Sequence, residues 1–204
     1  MNFVIFASFI IFGFWLTYEL KKHRDLNRKA EQDFWERELQ ANNVRRKPLD
    51  DLPYVTFPFE ALPSDESFNG EIPESLSVLR RLASEKMVNL GGISNTELKL
   101  TYGTANLTIL SEYDQNYETF AKNIYQLCKV LYDAGRKEEA EYLLEEAIPT
   151  GTDLILHYRL LAQIYRENEE ETKIADLKES ASQLHSLTRH AILRDLSADC
   201  QYND

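Results

Sequence analysis

The feature that most constrains this chain is an apolar stretch at its start, Phe3 to Leu20 (FVIFASFIIFGFWLTYEL), which holds a single charged residue. A helix of this length is roughly 27 Å long, close to the hydrocarbon thickness of a bilayer. A cleaved signal peptide normally has a basic start and a small-residue cleavage site. Here the start is not basic, and bulky Trp15 and Tyr18 lie near the far end. We therefore expect residues 1–20 to be an uncleaved transmembrane anchor, with residues 3–20 in the lipid bilayer.

Basic residues follow the apolar stretch and predict its orientation. They are Lys21, Lys22, Arg24, Arg28 and Lys29. Short flanks that are rich in Lys and Arg stay on the cytoplasmic side of a membrane. The sequence therefore predicts a single-pass protein of the cell membrane, with its amino terminus outside and its carboxy-terminal domain in the cytoplasm.

Charge is distributed unevenly between the start and the rest of the chain. The formal net charge is −11. Residues 1–50 hold nine basic and seven acidic residues, a balance of +2, so the remainder carries −13. An acidic body of this kind is repelled by phosphate backbones, so nucleic acid is not an expected partner.

Residues 21–45 mix charges of both signs without proline or glycine, and this pattern predicts a charged juxtamembrane helix. Leu26, Ala30 and Phe34 share one stripe, with Trp35 and Leu39 beside it. Two interpretations remain open. The helix is either a solvated spacer or a surface through which the protein forms a homo-oligomer.

Residues 46–72 are predicted to form an extended strap. Their prolines, at Pro48, Pro53, Pro58 and Pro63, exclude a continuous helix. The segment is also too apolar for a flexible linker. We therefore expect it to lie against a folded domain.

Helical patterns dominate residues 73–204, and no sustained alternation of apolar and polar residues predicts strands, so the expected class is all-α. Ser94 and Glu97 have the spacing of a capping box for a short helix that ends near Gly103. A long helical pattern then begins at about Leu107.

Residues 121–154 resemble a tetratricopeptide repeat, a helical hairpin of about 34 residues with small residues at fixed positions. The resemblance is carried by Ile124, Leu127, Cys128, Leu131, Gly135, Ala140, Leu144 and Ala147. A second copy, about residues 155–188, has Tyr158, Leu161, Ala162 and Tyr165 at the corresponding positions. There Glu169 replaces the turn glycine, and Ala175 fits only with a one-residue slip. The last helix is expected to run on toward Ala198 as a capping helix.

The resemblance also implies a concave groove, lined by the first helix of each hairpin. The corresponding positions here are Lys122, Tyr125, Lys129 and Tyr132, then Arg159, Gln163 and Arg166. Cations and tyrosines on one surface favour an acidic peptide or protein partner. Two alternatives remain open: these positions are solvated helix faces, or the groove or its rim is occupied by the strap residues Leu49, Asp50, Asp51, Leu52 and Tyr54.

Two longer segments, DFWERELQANNVRRKPLDDLPYV and NLGGISNTELKLTYGTANLTILSEYDQNY, are similar to a family of uncharacterised membrane-anchored proteins of Gram-positive anaerobic bacteria. The similarity implies an architecture and no activity.

Motifs of catalysis are missing from the sequence: it has no phosphate-binding glycine loop, no H-E-x-x-H and no G-x-S-x-G. His185, His190 and Cys200 have no recognised zinc-site spacing. We therefore expect no enzyme activity, metal or cofactor. The expected function is that of a membrane-anchored adaptor that holds a partner at the cytoplasmic face. The alternative is a self-associating structural protein whose helical domain only caps the assembly.

Overall fold

The structure, a computed structural model, describes residues 2–68 and 71–198, with side chains from residue 7 onward. The expected all-α class is confirmed. In the described residues the one extended pairing is an isolated bridge between Tyr54 and Val88. The helices are α1 (Asn2–Asn42), α2 (Glu74–Leu82), α3 (Asn95–Tyr102), α4 (Leu107–Asp133), α5 (Lys137–Ala147), α6 (Ile155–Glu167), α7 (Glu171–Ser182) and α8 (Arg189–Ser197).

The chain divides into two compact units. One comprises Met1–Pro48 and Ser94–Leu107, and the other comprises Leu49–Ile93 and Thr108–Asp204. The expected helical domain of residues 73–204 is therefore interrupted, because α3 belongs to the first unit.

In the first unit, the end of α1 packs against α3. The Glu38 carboxylate accepts hydrogen bonds from the Thr96 hydroxyl at 2.7 Å and from the Lys99 ammonium. These bonds, led by that from Lys99, hold the pKa of Glu38 below its ordinary value. The predicted capping box is confirmed, since the Ser94 hydroxyl accepts from Glu97 N–H and the Glu97 carboxylate accepts from Ser94 N–H.

Helix α1 is one continuous element of 41 residues, so the predicted anchor and the charged helix are joined without a break and end at Asn42. Residues 7–40 contain no buried side chain, and the apolar side chains of Phe9, Phe14 and Trp15 are 70%, 73% and 56% exposed. Among the residues that the structure describes, no helix is long and apolar enough to cross a membrane. The side chains of residues 3–6, at the start of the predicted anchor, lie outside that description.

In the second unit, residues 49–68 pack against helices; the predicted strap is extended at residues 53–58 but forms short 3-10 helices at Phe59–Ala61 and Asp65–Phe68. The N–H of Val55 donates to the Met87 carbonyl at 2.9 Å. The ring centroids of Phe57 and Phe59 lie 4.9 and 6.0 Å from that of Phe120 in α4. Farther along, the Arg80 guanidinium of α2 donates to the Pro63 carbonyl at 2.8 Å, and the Arg136 guanidinium at the α4–α5 turn donates to the Ser67 hydroxyl at 3.2 Å. Residues 69–70 of the predicted strap lie outside the described residues.

Two helical hairpins, α4–α5 and α6–α7, repeat at an offset of 34 residues. The first helices end at Asp133 and Glu167, and the second helices begin at Lys137 and Glu171. Apolar positions follow the same offset, and all are buried in the core: Ile124, Leu127, Cys128 and Leu131 in the first hairpin correspond to Tyr158, Leu161, Ala162 and Tyr165 in the second.

The turns within the two hairpins have the same backbone hydrogen bonds. Arg136 N–H donates to the Leu131 carbonyl at 2.9 Å, and Glu170 N–H donates to the Tyr165 carbonyl at 2.8 Å. This pattern ends a helix with one residue in the left-handed region. That residue is Gly135 in the first hairpin, with φ of 79°, and Glu169 in the second, with φ of 59°.

Two sequence-based expectations about the second hairpin are wrong. There is no one-residue slip, because Ile174 occupies the position that corresponds to Ala140 and is buried, while Ala175 is exposed. The last helix does not run on, because α7 ends at Ser182 and Leu187 is fully exposed in the turn that follows. The separate helix α8 packs on α6 and α7 and buries two side chains, Ile192 and Leu196.

Candidate partner-binding site

Helices α4 and α6 are joined by a network centred on Glu167. The Gln163 amide donates to the Tyr132 hydroxyl at 2.6 Å and to the Glu167 carboxylate at 3.1 Å. The Tyr132 hydroxyl donates to the same carboxylate, and the Lys137 ammonium of α5 donates to it at 2.6 Å. Of the residues predicted to line the groove, Tyr132 and Gln163 are thus in direct contact.

The charges within this network balance one another. Burial, followed by the neighbouring Glu167, raises the pKa of Tyr132 to about 12, so the phenol keeps its proton at neutral pH. Burial also raises the pKa of Glu167, but hydrogen bonds from Lys137, Tyr132 and Gln163 outweigh burial and hold it below its ordinary value. The network therefore pairs one carboxylate with one ammonium.

The first hairpin also presents two exposed cations, Lys122 and Lys129. The Lys122 side chain is 63% exposed, and its ammonium lies 3.4 Å from Glu118 one turn away. The Lys129 side chain is 46% exposed, pairs with Asp133, and its ammonium lies 5.6 Å from the Tyr132 ring centroid. Exposed pairs within one helix contribute little to stability. Both lysines therefore remain available to an external carboxylate.

The second hairpin uses its two predicted cations internally. The Arg159 guanidinium donates to both oxygens of Asp195 in α8, each at 3.0 Å. The Arg166 guanidinium donates to the Leu196 carbonyl at 3.4 Å. These arginines connect α6 with α8, which separates their role from that of Lys122 and Lys129.

Tyr125, another residue of the predicted groove, is half-buried. Its ring centroid is 6.2 Å from that of His157, which is completely buried. Because the Ala121 carbonyl only accepts, His157 Nε2 carries the hydrogen that it donates at 2.9 Å, and Nδ1 accepts from the Thr152 hydroxyl at 2.9 Å. Burial lowers the pKa of His157 to about 4, so this histidine is neutral and structural.

A shallow pocket of about 250 Å³ lies beside Lys122. Its apolar lining comes from Tyr117, Ala121 and Leu154, and Asp153 completes its rim with Lys122 and Glu118. The pocket is large enough for one aliphatic side chain.

The strap residues named from the sequence lie in the second unit, away from the predicted groove. Leu52 is buried, and the Tyr54 hydroxyl donates to the Leu49 carbonyl at 2.9 Å. The Tyr54 ring packs edge-on against Tyr113, with centroids 5.9 Å apart. Asp50 and Asp51 lie in the turn before Leu52, and both are exposed.

Glu167, Lys137 and Asp195 take part in these contacts but were not predicted from the sequence. Glu167 lies four residues after Gln163, on the same helical stripe, so the local period could have identified it. Lys137 and Asp195 come from other helices, and no local pattern relates them to α4 or α6.

Two sequence-based candidates for chemistry, Cys128 and the histidine–cysteine set, can be located in the structure. The Cys128 thiol is buried, and burial raises its pKa, which makes it a poor nucleophile. No three histidine, cysteine, aspartate or glutamate side chains in that part of the chain are grouped as metal ligands. Of the candidate set His185, His190 and Cys200, Cys200 lies outside the described residues.

Comparison of the chain with known protein families, curated proteins and solved structures finds no match.

Proposed function

We propose that this protein is a membrane-anchored adaptor whose tetratricopeptide-like domain binds an acidic peptide or protein partner at the cytoplasmic face of the membrane. The observation that carries the proposal is the contact between Gln163 and Tyr132, because it places the exposed faces of α4 and α6 side by side. A continuous face over two helices is the kind of surface on which repeat proteins bind extended segments.

The partner face consists of Lys122, Tyr125, Lys129, Tyr132 and Gln163. It is narrower than the groove expected from the sequence, because Arg159 and Arg166 are engaged by α8. A partner carboxylate would exchange with Glu118 or Asp133 for the exposed lysines at small cost. The pocket beside Lys122 would take an aliphatic side chain of the same segment.

The anchor is proposed from the sequence and from the exposure of α1. Apolar side chains at Phe9, Ile11, Phe12 and Phe14 are more than half exposed and point in different directions around the helix. A protein partner covers one face of such a helix, whereas lipid covers all of them. Tethering in the plane of a membrane would raise the local concentration of the captured partner.

The adaptor role is tested by charge reversal on the partner face. Full-length protein with Lys122→Glu and Lys129→Glu is used as bait in native membranes, next to the parent chain. Because both lysines are exposed, the fold should survive, which circular dichroism checks. We expect partners captured by the parent chain to be lost from the variant.

A control with the same charge change, Arg81→Glu with Lys178→Glu, should keep those partners, since these residues lie on α2 and α7. If the two variants capture the same proteins as the parent chain, the partner face is wrong. Protease treatment of intact cells tests the orientation, and digestion of the helical domain from outside would reverse it.

A second candidate function is self-association through α1. Phe34 and Trp35 are 54% and 56% exposed, and their rings contact one another edge-on. If this face joins two copies, crosslinking in membranes should give a dimer that Phe34→Ser with Trp35→Ser abolishes. An unchanged monomer in both proteins would leave the adaptor role as the sole candidate.

A further inference from the structure

We propose that the basic face of α1, formed by Lys21, Lys22, Arg24, Arg28 and Lys29, binds the headgroups of anionic lipids. This inference rests on the proposed membrane anchor and adds the class of lipid that the anchor selects.

The five side chains are exposed and share one side of the helix. At about 100° per residue they project within an arc of about 160°. That arc lies opposite Ala41, which is buried in the contact of α1 with α3. The cations therefore lie on the side of α1 opposite its contact with α3.

Neutralisation of these cations within the helix is incomplete. Glu19 lies 3.5 Å from Lys22, and Asp25 lies 3.6 Å from Arg28. In the described part of the chain, Lys21, Arg24 and Lys29 have no carboxylate partner within salt-bridge distance. Five cations against two carboxylates leave a charge of +3 on this segment.

The position of the charge along α1 fits a membrane surface. The basic face begins one residue after the apolar stretch and extends about 12 Å, which spans a headgroup layer of roughly 5–8 Å. Beyond it the sign changes, since Glu31, Asp33 and Glu36 follow. Basic residues next to a membrane attract anionic lipid by about 1 kcal/mol each.

A second copy is a poorer occupant of the same face. Anchored copies would be parallel, and parallel helices place like charges next to one another. Phosphate-bearing headgroups instead provide the opposite charge around the helix at the required depth.

The test uses fluorescence quenching of Trp15, near the end of the apolar stretch. The chain has two tryptophans, so Trp35→Phe leaves Trp15 as the single reporter. The full-length protein is reconstituted into vesicles that contain either brominated phosphatidylglycerol or brominated phosphatidylcholine at equal mole fraction. We expect the anionic lipid to quench on the order of twofold more strongly, and the difference to shrink as salt rises.

Replacing the five basic residues by glutamine should bring the quenching ratio to one. A control that removes the same number of charges elsewhere should keep the preference: Arg81, Lys86, Lys178, Arg189 and Arg194 to glutamine. Equal quenching by both lipids in the parent protein, or a preference that survives loss of the basic face, overturns the proposal while the anchor stands. If neither lipid quenches Trp15, the anchor itself is wrong and the proposal falls with it.

Discussion

The two helical hairpins share one backbone register, yet they use their exposed residues differently. In the first, Lys122 and Lys129 pair with carboxylates of their own helix and stay exposed. In the second, Arg159 and Arg166 both contact α8. At the 34-residue offset Arg159 and Arg166 correspond to Tyr125 and Tyr132, so the two hairpins carry their cations at different positions, and those of the second contact α8.

The hairpins also differ in what covers them. Aromatic residues of the strap pack on α4, whereas the short helix α8 packs on α6 and α7. The strap and α8 therefore cover different helices of the second unit.

The largest effect is expected where the strap covers the first hairpin. Phe120→Ala removes a fully buried ring that contacts Phe57, Phe59 and Tyr117. We expect the free energy of unfolding to fall by about 4 kcal/mol, as measured by urea titration of the detergent-solubilised protein. Phe34→Ala, at an exposed position of α1, is the control and should change it little. A small loss for Phe120→Ala would mean that the strap does not stabilise the hairpin.

The second hairpin should be the more sensitive to acid, because His157 is buried there while Asn123 holds the corresponding position in the first. The pKa of His157 is about 4 when folded and near 6.5 when unfolded, so between these values only the unfolded chain binds the proton. The stability that His157 contributes above pH 6.5 is lost as pH falls through 4, by about 3 kcal/mol.

The measurement is the stability difference between the parent chain and His157→Gln at several pH values. Since the variant lacks the titrating ring, that difference should shrink from pH 7 to pH 4. Parallel pH profiles for the two proteins would show that His157 does not titrate in this way.

A smaller effect concerns the two turns. Glu169 adopts a positive φ that residues other than glycine rarely adopt, so Glu169→Gly should stabilise the second hairpin by about 1 kcal/mol. Gly135→Ala should destabilise the first by a similar amount, for a conformational reason alone, because a Cβ there meets open space. Thermal unfolding of the two variants should shift in opposite directions. A shift in the same direction would break the equivalence of the turns.

The smallest effects separate a cation paired within its own exposed helix face, Lys129, from one paired across helices, Arg159. Lys129→Gln should change the free energy of unfolding by less than about 0.5 kcal/mol, because its pair is exposed. Arg159→Gln should cost about 1 kcal/mol, because it loses a bidentate contact to α8. Equal losses of stability in urea titration would show that Lys129 and Arg159 do not differ in their contribution to stability.

Elements with a strong local signal were predictable from the sequence. The capping box at Ser94 and the stop at Gly103 are local hydrogen-bond and glycine effects, and both are present. The run-on last helix was not excluded by periodicity, because Leu184 and Leu187 continue the apolar spacing although the chain turns after Ser182. The slip at Ala175 was inferred from residue size, whereas the fold accepts Ile174 at the position of a small residue.

By itself the sequence determined the helical class, the apolar stretch at the start and the 34-residue spacing of the hairpins, because each depends on residues close together in the chain. The tertiary structure decided which cations are held by another helix. Arg159 and Asp195 are 36 residues apart, as are Ala121 and His157. Such pairs form only when packed helices bring distant side chains within hydrogen-bond reach, and local periodicity contains no information about that distance.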